Sequence, residues 1–107
     1  MFEPQALKTY TVNLNAGGNA DIVAASPGLR WGIVCMVLTA DTVNTIVTVD
    51  SATTEIASFR LPQYGNIVIG DGTSIMLLAN AMNEKLNIEA TTGAVDGFVQ
   101  VITLRTG

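Results

Sequence analysis

The chain of 107 residues contains no histidine. That removes the side chain that most often acts as general base and metal ligand near neutral pH. Its single cysteine, Cys35, cannot close a disulfide within the chain, so stability must come from packing or assembly. Charge is scarce as well. Asp, Glu, Lys and Arg make up 13 % of the residues, against roughly 25 % in ordinary globular domains. The basic residues are the fewest: Lys8, Arg30, Arg60, Lys85 and Arg105 stand singly against nine acids, for a net charge of −4. Nucleic-acid binding needs a basic face or stripe, so no nucleic-acid partner is expected. No apolar run approaches the ~18 residues that cross a bilayer as a helix, so no membrane partner is expected either. Met1-Phe2-Glu3-Pro4 is acidic and broken by proline, unlike a secretory leader, which places synthesis and folding in a cytosol.

What the chain does have is apolar and β-branched residues. The hydrophobic fraction is 49 %, and the longest apolar run is Leu29–Thr39, LRWGIVCMVLT. Read with period two, Leu29, Trp31, Ile33, Cys35 and Val37 share one face, and Arg30, Gly32, Val34, Met36 and Leu38 the other. Both faces are largely apolar, so both call for cover. A half-exposed antiparallel strand would alternate apolar with polar. Trp31 and Cys35 then go into the core together, and Val34, Met36 and Leu38 become the expected subunit interface. The low charge of the whole chain also favours burial of surface between copies.

The remainder reads as short strands separated by turns. Residues 1–6 look like an N-terminal arm with no periodic pattern, ahead of one domain over 7–107. Tyr10, Val12 and Leu14 alternate with Thr9, Thr11 and Asn13. Turn chemistry follows at Asn15–Asn19, and again at Ser26-Pro27-Gly28 after a short strand at Asp21–Ala25. Strands are expected at Val43–Asp50, Glu55–Leu61, Ile67–Ile69, Leu86–Ala90 and Phe98–Arg105, with a short strand or irregular segment at Ile75–Leu78. In the last strand the face of Phe98, Gln100, Ile102 and Leu104 is the better core candidate. Ala79–Lys85 is the one place where a helical turn could form. About eight short strands at this spacing, without a helix of ordinary length, predict an all-β fold: a single antiparallel β-sandwich.

No residue pattern carries catalysis. Cys35 sits in the most apolar strand with no activating partner, which reads as a structural thiol. Gly17-Gly18 and Gly70-Asp71-Gly72 lack the following Lys-Ser/Thr of a phosphate loop and read as turns. The Asp residues fall at strand ends without calcium-loop spacing. The chain is therefore expected not to be an enzyme and to hold no cofactor and no metal. Tyr64, in the loop Pro62–Asn66, is the aromatic most suited to an exposed contact, with Asn66 and Asp71 nearby in sequence.

The order of segments is VNLNAGGNADIVAASPGLR, then WGIVCMVLTA, TIVTVDSATTEIASFRLP, GNIVIGDG, NEKLNIEATTGAVDG and FVQVITLR. From about Tyr10 onward this order resembles the small jelly-roll virion proteins of tailed bacteriophages, the head decoration (cement) proteins. Leu86, Ile88, Gly97, Val99 and Val101 fit the closing part of that pattern, and Asn80-Ala81-Met82 departs from an aromatic-rich stretch. The resemblance implies a jelly roll that assembles with itself, as a trimer. It implies binding to the major capsid protein on the outer capsid surface, after synthesis in the host cytoplasm, and stabilisation of the shell. On this reading the arm, through Phe2, Pro4 and Leu7, touches the capsid. The rival expectation is a receptor- or carbohydrate-binding module of a tail or head fibre, with Tyr64, Asn66 and Asp71 as its contact loop.

Overall fold

The computed structural model describes residues 2–4, 7–14, 18–41, 44–72 and 74–106, the side chains of 2–4, 105 and 106 excepted. Its strands are β1 (Phe2–Pro4), β2 (Lys8–Leu14), β3 (Asn19–Val23), β4 (Leu29–Ala40), β5 (Thr45–Ser51), β6 (Thr54–Leu61), β7 (Asn66–Ile69), β8 (Leu77–Leu78), β9 (Leu86–Ala90) and β10 (Val95–Thr106). There is no helix among the described residues. Ala79–Lys85, the one place where a helical turn could have formed, is irregular. Asn83 takes a positive φ of 65° there, and its N–H donates to Leu29 O at 2.9 Å.

Two antiparallel sheets face each other. Sheet A runs β2-β10-β4-β7, with β1 extending the β2 edge along β10 and β8 extending the β7 edge along β4. Sheet B runs β3-β9-β5-β6. With β1 and β8 counted as extensions, the chain visits the sheets in the order A, B, A, B, B, A, B, A. That is the winding of an eight-stranded jelly roll. Between the sheets lie Val12, Leu14, Trp31, Ile33, Met36, Leu38, Val47, Val49, Ile88, Val99 and Val101, all buried.

Local chemistry explains the elements. Val12 and Leu14 point inward from β2 while Thr11 and Asn13 are exposed, and β5 buries every second residue from Thr45 to Ser51. Ser26-Pro27-Gly28-Leu29 closes with Leu29 N–H donating to Ser26 O at 3.1 Å. Pro27 supplies the fixed φ of the first corner, and Gly28, at φ 76°, the positive φ that the second requires. Residues 2–4 were expected to be part of an unpatterned arm. Their backbone instead pairs with Thr106, Arg105 and Leu104 of β10. Proline is tolerated there because the strand is an edge. Met1, Gln5 and Ala6 lie outside the described residues.

The central strand holds the main correction. β10 pairs with β4 in one register from Val95↔Ala40 to Gln100↔Cys35, and in another from Val101↔Ile33 to Arg105↔Leu29. Val34 is the extra residue between them, a β-bulge. One inserted residue reverses which alternate positions face the core. Trp31 and Ile33 point inward before the bulge; Met36, Leu38 and Ala40 point inward after it. Cys35 and Val37 therefore emerge on the outer face, half-buried, and Trp31 and Cys35 are not on one side. The expected interface at Val34, Met36 and Leu38 is overturned. Met36 and Leu38 are fully buried in the chain's own core, and Val34 is 1 % exposed. None has surface left for a second subunit. The expected core face of β10 is corrected too: Val99, Val101 and Thr103 are buried, while Phe98, Gln100 and Ile102 are half-buried on the outside, and of the expected face Leu104 alone is buried.

The bulge also explains the segment after β7. Ile69 pairs with Met36 and Leu77 with Ile33, so the edge strand carries several more residues than β4 does over this stretch. Of that surplus, residues 70–72 and 74–76 are described and lie beside the bulge. Gly72 N–H donates to Val34 O at 3.0 Å, and Met76 N–H to Ile33 O at 2.8 Å. Carbonyls that the interrupted ladder leaves open are thus satisfied. Ile75 then lies over the outer side of β4, where a Cβ at Gly32 would stand 3.1 Å from Ile75 Cγ2. Part of the second face of the central strand is covered by the chain itself.

Candidate functional site

The outward rows of the two sheets are the surfaces on which function can be built. On sheet A one cross-strand row is Val68, Val37, Phe98 and Thr11. Val37 and Phe98 are half-buried, and Val68, on the edge strand β7, is 65 % exposed. The next row is Cys35, Gln100 and Thr9. Ile75 and Met76 extend the apolar surface from the loop after β7, both exposed. No charged side chain stands in these two rows. A polar border of Asn66, Thr39, Asp96 and Asn13 closes one end. Strand β7 pairs only with β4, so its other edge is unpaired among the described residues. An apolar, neutral edge strand is a surface on which another chain can add.

Sheet B presents a different exterior. Its outward rows are Asn19, Glu89, Thr48 and Ser58, then Asp21, Asn87, Asp50 and Glu55. Four carboxylates on one face make it acidic and well hydrated. Asp21 is held by its neighbours: Asn87 Nδ2 donates to Asp21 Oδ1 at 2.8 Å, and Lys85 Nζ lies 3.2 Å from the same oxygen. The Asn87 hydrogen bond first, then Lys85, lowers the Asp21 pKa below its ordinary value.

At the end of the core, Trp31 donates from Nε1 to Ala24 O at 2.9 Å, and Lys8 Nζ sits 5.4 Å from the indole centroid. Arg30 is spent on the backbone: Nε donates to Ala79 O at 2.6 Å and Nη2 to Asn80 O at 3.1 Å. Ser51, fully buried, donates to Glu84 Oε1 at 2.6 Å and accepts from Asn80 N–H at 2.9 Å. These contacts pin the irregular segment 79–85 beneath the sandwich.

The expected loop contacts are not gathered into one site. Tyr64 is 70 % exposed at φ 60°, and Asn66 is exposed beside it at the start of β7. Asp71, also exposed, lies beyond the other end of that strand. Leu7 is 51 % exposed and available to a partner. The side chains of Phe2 and Pro4 lie outside the described residues. Among the described residues no group of three or more His, Cys, Asp or Glu is placed to hold a metal ion. No helix there is long and apolar enough to cross a membrane.

Val37, Phe98 and Val68 were not singled out as surface residues in the sequence. Their signal was present in Ile67-Val68-Ile69, an apolar run too short to be a central strand. Compared with known proteins, the chain matches no family model and no curated protein.

Proposed function

We propose that this protein is a structural virion component: a head decoration protein that binds the outer surface of a bacteriophage capsid as an oligomer and stabilises the shell. The observation that carries the reading is the pair of uncharged rows on the outer face of sheet A, where Val37 and Phe98 are half-buried and Val68 is exposed. A chain of net charge −4 meets its own copies at least electrostatic cost on such a face. The jelly-roll winding and the order of segments agree with the resemblance to decoration proteins. The partners in this reading are further copies of the chain, as a trimer, and the major capsid protein, with Leu7 and its flanking residues as a capsid contact. Such a protein carries no chemistry of its own. It adds binding energy to an assembled lattice, which mass action converts into resistance to disassembly.

The test uses sedimentation of the full chain, and electron microscopy of the chain mixed with expanded phage heads. The unaltered protein is expected to sediment as a trimer and to decorate the heads. Val37→Glu with Phe98→Glu is expected to give a folded monomer that leaves the heads bare. Thr48→Glu, on the outward row of sheet B, should behave as the unaltered protein. A chain that is monomeric at micromolar concentration and never binds heads overturns the reading.

A further inference from the structure

One end of sheet B carries an open cleft of about 430 Å³, lined by Asn44, Thr45, Ile46, Arg60, Leu61, Pro62 and Thr91. The cations of this chain are few, and most of those with described side chains are engaged. Lys85 pairs with Asp21, Arg30 holds two carbonyls and Lys8 lies over Trp31. Arg60 alone among these has no ion pair or hydrogen bond within the described residues, and it lies on the wall of this cleft.

Its neighbours on the rim are fixed in a particular way. Asn44 Oδ1 already accepts Gln63 N–H at 2.8 Å, so its amide NH₂ is what remains to offer. Thr91 Oγ1 already accepts Ile46 N–H at 3.0 Å, so its hydroxyl proton remains. Asn44 is held further by Thr92 Oγ1, which donates to Asn44 O at 2.7 Å. The acceptors are used by the backbone and the donors are left over. A guanidinium, an amide and a hydroxyl, two of them held by backbone bonds, belong to residues that share the cleft lining with Ile46, Leu61 and Pro62.

We infer that this cleft binds a carboxylate carried on a compact body with an apolar flank. The guanidinium would take the two carboxylate oxygens side by side, as its planar fork favours. The amide and hydroxyl would donate to remaining oxygens, and the apolar wall would meet the carbon flank. A free short-chain organic acid and an acidic sugar share this chemistry. The inference is independent of the decoration reading, because the cleft belongs to sheet B and the proposed docking face to sheet A.

Amide NMR of the ¹⁵N-labelled full chain, titrated with butyrate and with glucuronate, tests it. Butyramide and glucose serve as neutral counterparts of the same bodies. At least one acid is expected to move the signals of Asn44, Ile46, Arg60 and Thr91 with a dissociation constant in the millimolar range. Arg60→Gln should weaken that binding about tenfold or more while leaving the spectrum otherwise intact, since Arg60 is exposed. Arg60→Lys should recover part of it. Tighter glucuronate binding assigns the site to acidic sugars, and tighter butyrate binding to organic acids. The inference fails if neither acid moves these signals, if the neutral counterparts move them equally, or if Arg60→Gln changes nothing.

Discussion

The outer faces of the two sheets are built from the same kind of alternating strand, yet they differ in what they can meet. Sheet B ends its outward rows in Asp21, Asp50, Glu55 and Glu89, so its exterior is finished by water. Sheet A turns out Val37, Phe98 and Val68, and covers the neighbouring part of β4 with its own Ile75. An antiparallel sandwich needs only its inner faces apolar. The acidic face is therefore what folding alone demands, and the apolar one is surplus to folding. That surplus is why association is placed on sheet A.

The largest expected effect tests which side of β4 is inside. Met36→Ala empties a fully buried position and should cost about 2–5 kcal/mol. Val37→Ser, one residue along and facing out, should cost less than about 1 kcal/mol. Equal losses in chemical denaturation would mean that the face assignment, and the contrast built on it, is wrong.

A second substitution probes how tightly sheet A is drawn together at its centre. A Cβ at Gly97 would overlap Val37 O, and Gly97 stands at φ 154°. Gly97→Ala should therefore lower stability by about 1–3 kcal/mol. Thr48→Ala, in the middle of sheet B, should stay within about 0.5 kcal/mol. A denaturation midpoint for Gly97→Ala equal to that of Thr48→Ala would show that β10 and β4 are farther apart than described.

The electrostatics of sheet B give a smaller, pH-dependent effect. The folded-state pKa of Asp21 is lowered, so its ionised form favours folding. That contribution is present above the ordinary value of 3.8 and is lost as pH falls from there through the folded value. Thermal unfolding of Asp21→Asn should match the unaltered protein in acid and fall slightly below it near neutrality. A difference that grows in acid would reverse the sign.

The smallest effect lies in the β5–β6 hairpin. Ala52 holds a positive φ of 54° there. Ala52→Gly relieves that strain and loosens the unfolded chain, for a net gain of up to about 0.5 kcal/mol. Any loss in melting temperature would count against the turn geometry.

Much of the architecture was legible in the residues. The alternation of β2, β5 and β9, the Ser26-Pro27-Gly28 turn and the break at Pro62–Gly65 led to an all-β sandwich. The proposed docking face was legible only as a need, because Leu29–Thr39 is apolar on both sides and must be covered twice. Which side chains answer that need was misread, since nothing in the sequence marks Val34 as an extra residue. The freedom of Arg60 was illegible too. It emerges only once Lys85 and Arg30 are seen with partners far away in sequence.

By itself, then, the sequence determined what is local. Polar and apolar residues alternate in the half-exposed strands, glycine and proline sit at the turns, and little charge is left to dress the outside. Only the tertiary structure decided the sense of β4 and β10. When both faces of a strand are apolar, alternation has a period but no sign. The sign comes from the partner's register, here Val101 against Ile33 on one side of the bulge and Gln100 against Cys35 on the other.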